Sequence, residues 1–391
     1  MTHDVIIVGA GPAGSTAAIE LARQGRSVAL VEKDEFPRRK VCGEYMSATN
    51  IPVLQRLGVA EAWRDRAGPE IRKVALFAGQ RIVSAPMPGR DGFGRALGRD
   101  VHDTLLRDAA GREGVELYQP CRAVALCRVR GRHELTIDTG SGGSMTLSAP
   151  VVIAAHGSWE RNTLPTGLQK GSGTNGLLGF KAHFRGASLA RDTMPLLAFP
   201  GGYGGIVWAD AGRLSLSCCI RSEALAALRQ RRNGNAAEVI HAHLLATCRG
   251  VREALAGAIL SDKWLSTGTI RPAVRARYAE DIFRAGNLAG EAHPVIAEGI
   301  SMAIQSASLL AQVLDDVDIT DPAALAAAGQ RYSAAWSRHF KARLRMSQTV
   351  AWMASRPEAF GFVAATIEAV PKLLTFGAGL SGKAQVFSPG K

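Results

Sequence analysis

The stretch from Asp4 to Glu32, DVIIVGAGPAGSTAAIELARQGRSVALVE, constrains this chain more than any other. An apolar run, Val5 to Val8, ends in Gly9-x-Gly11-x-x-Gly14. Apolar residues then recur at helical spacing from Thr16 to Arg23, and a second β-like run spans Val28 to Val31. The pattern predicts strand, tight turn, helix, strand. Gly9 permits the turn, Gly11 lets the backbone approach a pyrophosphate, and Gly14 lets the helix pack closely on the strand. Pro12 and Ala13 open the helix, whose unpaired N–H groups and positive dipole end face the phosphates. Glu32 closes the second strand and is placed to accept hydrogen bonds from a ribose hydroxyl, with Lys33 beside it. A dinucleotide is expected to bind here.

At 391 residues the chain exceeds one simple core, which suggests two closely packed lobes or one large domain with insertions. Apolar content of 47% with 21% charged residues describes a folded soluble protein. The chain runs from Met1 almost directly into the first strand and carries no run of about 18 apolar residues, so a cytoplasmic location and no transmembrane span are expected. Its six cysteines lack metal-ligand spacing, so no metal site is expected, and most read as core residues. A net charge of +13 attracts anions: nucleotides, coenzyme A, an acidic acyl carrier protein, or the anionic face of a membrane met peripherally. The basic residues are largely dispersed and no helix-turn-helix, finger or aromatic RNA-binding pattern occurs, which argues against nucleic acid. Oligomeric state is left open.

After Glu32 comes a basic segment, Phe36 to Glu44, then a helical pattern from Asn50 to Leu57. Lys73 to Ser84 has β character with a turn at Gly79, and Pro88 to Gly94 reads as a connection. Asp100 to Gly111 reads as a helix, Val115 to Ala149 as short strands, and Val151 to Ala154 as a strand ending at His156-Gly157. Gly167 to Gly176 is the expected crossing between lobes. Leu178 to Phe184, Pro195 to Phe199, Gly204 to Trp208 and Arg213 to Ile220 form a second sheet, followed by helices at Ser222 to Arg229 and Ala236 to Ala246. Ile282 to Ala285 leads into Gly286-Asn287-Leu288-Ala289-Gly290, and a long helix runs from Gly299 to Leu314. From Pro322 the chain reads as helical, with breaks at Pro371 and Gly377-Ala378-Gly379. The expected fold is α/β. A Rossmann-like βαβ nucleotide lobe (residues 1–70, 95–165 and 270–320) is interleaved with a mixed β-sheet substrate lobe (71–94 and 166–269), and a helical region (321–391) follows.

Three separated motifs align with a known pattern: Gly9-x-Gly11-x-x-Gly14 with Glu32, Arg99-x-x-His102-Asp103-x-x-Leu106, and Ala285-Gly286-Asn287-Leu288-Ala289-Gly290 with Pro294 and Gly299. Together they resemble the flavoprotein superfamily of para-hydroxybenzoate hydroxylase, geranylgeranyl reductases and flavin-dependent halogenases, over about residues 1 to 320. The resemblance implies FAD, with Arg99 reaching the cofactor's linker and the start of the helix at Gly299, Ile300 and Ser301 pointing its dipole at the flavin. Asn287 stands where the family has an acid and still offers hydrogen bonds to hydroxyls. Lys40-x-Cys42-Gly43-Glu44 resembles a segment near the flavin in the reductase and halogenase branches, which implies Lys40 or Arg39 at a phosphate and Cys42 at the ring. His156-Gly157 replaces the hydroxylases' Asp-Gly, which weakens the case for a hydroxylase-type cycle; with no second dinucleotide motif, transiently bound NAD(P)H, another electron donor and the substrate itself are the candidate reductants.

His156, His293 and Glu298 are the candidate proton donors or acceptors beside the flavin. Tyr203 and Trp208, in the nearest match to the reductases' substrate-sheet element, are the candidate pocket walls. The halogenases' Trp-x-Trp-x-Ile-Pro stretch does not occur. The expected activity is an FAD-dependent reduction or dehydrogenation of a small, carrier-linked or lipid-linked organic substrate. A monooxygenase that hydroxylates or epoxidises an aromatic or polyketide-like substrate, and a flavoprotein without turnover that binds an acidic partner, are the alternatives.

Overall fold

Three strands buried at every position, Val5–Val8, Val28–Val31 and Val151–Ala154, form the middle of a parallel sheet. Strands covered on both faces read as unbroken apolar runs, as these do. The complete sheet runs Tyr278–Ala279, Ile282–Arg284, Val151–Ala154, Val5–Val8, Val28–Val31, Glu116–Tyr118, and only its first pair is antiparallel. Alternate side chains serve different cores. Val5, Ile7, Leu30 and Ile153 face the helices Pro12–Arg23, Arg99–Arg112 and Gly299–Val313. Ile6, Val8, Ala29 and Val152 face a three-stranded antiparallel sheet of Arg122–Val129, Arg132–Asp138 and Ser144–Ala149. The computed structural model describes residues 1–89, 92–140, 142–158, 164–166 and 176–383. Except for Gly176, the expected crossing at Gly167 to Gly176 lies outside the described residues, as does the centre of the Pro88 to Gly94 connection.

A second, eight-stranded sheet takes Lys73–Ala78 and Arg81–Pro86 from one part of the chain and Leu177–Arg185, Thr193–Phe199, Gly202–Trp208, Leu214–Arg221, Ile259–Leu260 and Leu265–Ile270 from another. It is antiparallel except where Thr193–Phe199 runs parallel to Lys73–Ala78. One face packs on Ser222–Arg231, Ala236–Thr247 and Arg249–Ala254, the second of these closed by a capping box between Asn235 and Glu238.

The 33-residue helix Pro322–Ala354 starts at an Asp321 cap and spans both cores. Tyr332 packs near Phe283 and donates to the Arg284 carbonyl at 3.0 Å, whereas Ala351 and Ala354 join the apolar cluster on the cavity side of the large sheet. Helices Pro357–Ala369 and Lys372–Ala378 follow. The break expected at Pro371 is present. The one expected at Gly377-Ala378-Gly379 is not: Gly379 keeps helical angles (φ −60°, ψ −48°), and the chain leaves helical geometry at Gly382, with φ 106°. Of the cysteines, Cys218, Cys219 and Cys248 are buried, Cys42 and Cys121 half-buried and Cys127 exposed, so the core expectation holds for half of them.

Candidate active site

The three glycines of the first turn meet different surroundings. Gly9 has φ 103°, and a Cβ there would stand 2.7 Å from His156 Cα. A Cβ on Gly14 would stand 1.8 Å from the Gly9 carbonyl oxygen. A Cβ on Gly11 would find only the Arg99 guanidinium, at 3.8 Å, because Gly11 faces a cavity. The helix that Gly11 precedes has Pro12 at its start and no side-chain cap. The helix Gly299–Val313 is also uncapped by a side chain, and Gly299 and Ile300 line the same cavity. Two helix N-termini with unpaired N–H groups thus open on one space, a donor set suited to anionic oxygen at two places.

Glu32 lines this cavity and also holds the turn, accepting from the Ala10 N–H at 2.9 Å and the Asp34 N–H at 3.0 Å. Arg99 forms a two-pronged pair with Asp103, both contacts at 2.7 Å, and Arg38 adds a third at 3.0 Å. Burial opposes ionisation of Asp103, but the Arg99 charge, then hydrogen bonds from His102 and Arg99, hold it well below the usual carboxylate range. Asp103 thereby fixes the Arg99 guanidinium beside Gly11. Pro12, Ala13, Lys33, Lys40, Cys42, Gly286, Asn287 and Pro294 also line the cavity. The Asn287 amide nitrogen lies 3.2 Å from Glu291 Oε1 and 3.5 Å from Ser158 Oγ.

The structure alters three of the expected roles. Trp208 does not line the cavity: its indole N–H donates to the Leu189 carbonyl at 2.9 Å, and its ring packs with the helices behind the large sheet. Tyr203 and Trp208 are five apart in one strand, so they point to opposite faces. Glu298 is turned away as well. Its carboxylate meets Lys383 Nζ at 3.1 Å and Ser47 Oγ at 3.3 Å, which ties down the C-terminal segment. His156 does sit at the cavity, 2.9 Å from Thr166 Oγ1, but burial, with the Lys40 and Arg284 charges, pushes its pKa down to about 4. It is a neutral, weak base that packs against the glycine turn.

Tyr203 and His293 do meet, with Tyr203 Oη 3.0 Å from His293 Nδ1 at the cavity wall. Burial raises the Tyr203 pKa well above that of a free phenol and lowers His293 to about 4. Both are neutral, so a single proton lies between Oη and Nδ1, and the His293 tautomer decides which of the two donates.

His133, His156 and His293 all have pKa values pushed down to about 4, chiefly by burial. Each stays neutral in the fold but titrates near 6.5 when unfolded. Stability is therefore expected to be undiminished above about pH 6.5 and to fall as pH drops from there toward about 4. His156, the most buried, would account for about 3 kcal/mol, and the other two for less because solvent screens them. Urea midpoints at about pH 7 and about pH 5 test this; equal midpoints would contradict it.

A cluster that the sequence reading did not single out lies at one wall. Glu44, at φ 62°, directs its carboxylate to Lys181 Nζ and, at 2.8 Å, to His183 Nε2, and all three side chains are fully buried. The same carboxylate accepts the Arg99 N–H at 3.2 Å. Burial would raise the Glu44 carboxyl, but the His183 hydrogen bond and the Lys181 charge hold it well below the carboxylate range. The available signal was the strand LLGFKAHFR, in which Lys181 and His183 share one face between buried aromatic residues.

A family profile described as an FAD binding domain matches residues 2–323. The chain belongs to this family. FAD is its cofactor. Over 139 residues it is 32% identical to a menaquinone reductase of Mycobacterium tuberculosis, covering 36% of this chain and 34% of that protein. Over 176 residues it is 32% identical to a geranylgeranyl diphosphate reductase of Rhodobacter capsulatus, covering 42% and 40%. The chain spans about a third of the length of the menaquinone reductase it matches. Its fold is similar to that of a flavin-dependent brominase, with a TM-score of 0.77 at 16% identity over 98% of this chain and 94% of the brominase. The residues present fit the cofactor: a glycine with open space before it, a carboxylate at the end of the second strand, and two uncapped helix starts. Gly11, Pro12, Ala13 and Arg99 would hold the pyrophosphate, Glu32 a ribose, and Gly299 and Ile300 the flavin's polar edge.

Proposed function

We propose that this chain is an FAD-dependent reductase of an apolar, lipid-linked substrate. The observation that carries this reading is the substrate-side wall, where Met194, Leu196, Ile270 and Val295 form one apolar cluster with Tyr203, whose hydroxyl is held by His293. The partial likeness to two proteins named as reductases supports it. Bound FAD supplies the two-electron transfer. The apolar wall holds the substrate and excludes water. With His293 as the Nδ1–H tautomer, Nδ1 donates to Tyr203 Oη and leaves the phenol O–H, kept protonated by burial, free to deliver a proton to the reduced substrate; solvent restores that proton once product leaves.

The test is an anaerobic half-reaction. Holoprotein reduced by light is mixed with a long-chain quinone or a polyprenyl acceptor, and return of the oxidised flavin spectrum is followed. Tyr203→Phe is expected to slow this about 10²-fold with FAD content unchanged. If the acceptors never restore the spectrum, and product forms only with dioxygen and carries an oxygen atom from it, the monooxygenase alternative replaces this reading.

A further inference from the structure

The C-terminal helices leave an apolar face with no covering element among the described residues. Phe362 is 79% exposed, Phe376 65% and Leu380 55%, and Val370, Leu373 and Trp352 are exposed around them. Isolated exposed apolar residues need no explanation, but a cluster on consecutive helices marks a contact surface. The charge around it is predominantly positive. From Pro322 to Lys391 the sequence has nine Lys or Arg residues against two Glu, and Glu368 is already paired with Arg81 at 2.9 Å. Arg338, Lys341, Arg345 and Trp352 recur at helical spacing along the exposed stripe of helix Pro322–Ala354, Arg356 follows just beyond its end, and Lys372 opens the helix Lys372–Ala378. Neither apolar piece is long enough to span a bilayer: Gly361–Ala369 and Lys372–Lys383 meet at an angle of 111°. A short, bent, apolar pair rimmed by Lys, Arg and Trp matches what lies in a membrane interface.

We propose that this hairpin docks the protein on an anionic lipid bilayer, with Phe362, Leu373, Phe376 and Leu380 entering the headgroup layer and Arg345, Arg356 and Lys372 meeting lipid phosphates. Its inner face bears on the site. Ala364, Leu374 and Ala378 belong to the same cluster as Tyr203 and Val295, and Lys383 donates to the Ile296 carbonyl at 2.6 Å. Docking therefore sets the lipid surface beside the apolar end of the cavity. That consequence rests on the apolar-substrate reading above, whereas the docking itself does not.

Co-sedimentation of the full-chain holoprotein with vesicles of phosphatidylcholine alone, or with phosphatidylglycerol added, tests the proposal without any turnover. Binding to the anionic vesicles, weakened by salt, is expected, with a blue shift in tryptophan emission that W352F removes. The double variant F362E/F376E alters only exposed side chains. It should keep its FAD spectrum and melting temperature but bind at least about ten-fold more weakly. Absence of vesicle binding, or binding unchanged in the double variant, overturns the proposal. So does a dimer in light scattering that the double variant dissolves while neither vesicle is bound, since the face would then join two copies. Vesicle binding combined with a failed flavin half-reaction would refute only the reductase reading.

Discussion

Glu44→Ala is expected to destabilise the fold by about 3–5 kcal/mol, because it leaves Lys181 and His183 fully buried with no carboxylate between them. It also removes the acceptor for the Arg99 N–H at the start of the helix that carries the Arg99–Asp103 pair. Glycine adopts a φ of 62° with less strain than glutamate, so what Glu44 adds at this position is its carboxylate. Glu44→Gly should therefore be as damaging as Glu44→Ala even though it relaxes the backbone. The paired change Glu44→Gln with Lys181→Met removes both charges at similar volume, and it should cost less than either change that strands a charge. Urea unfolding of the holoprotein and FAD-free protein measures all three against the parent. A Glu44→Ala protein within about 1 kcal/mol of the parent would show that the cluster is solvated in solution.

Gly14→Ala should be equally severe for a different reason. The added Cβ would lie 1.8 Å from the Gly9 carbonyl oxygen, a backbone atom, so no neighbouring side chain can relieve the clash by swinging aside. The first helix must move off the first strand, at an expected cost of about 3 kcal/mol or more, and its N-terminus leaves the cavity. The purified protein should be colourless and should regain no FAD on reconstitution. Gly11→Ala is the control. Its Cβ meets nothing nearer than the Arg99 guanidinium at 3.8 Å, so the fold should persist while FAD, which needs that space, binds more weakly. Differential scanning calorimetry and flavin titration separate the two outcomes. A yellow Gly14→Ala protein with parental melting temperature would refute the packing argument.

What the sequence determined by itself is local: the strand–turn–helix–strand start, the glycine that needs a positive φ, the alternation of apolar residues over two cores, and, through three separated motifs, FAD. The first three follow from neighbours within a few residues, where period and turn chemistry leave few options, whereas FAD came from the family resemblance that the three motifs carry together. The opposite facing of Tyr203 and Trp208 was also legible from strand period alone. Tertiary structure decided which charges meet. Lys181 reaches Glu44 across 137 residues of sequence, and Tyr203 reaches His293 across 90. Glu298 lies at the start of the helix that opens on the cavity, yet Lys383 claims it from the far end of the chain. Partner choice of this kind depends on how two sheets and a 33-residue helix pack together. The desolvation that makes each buried charge demand a partner arises only once that packing exists.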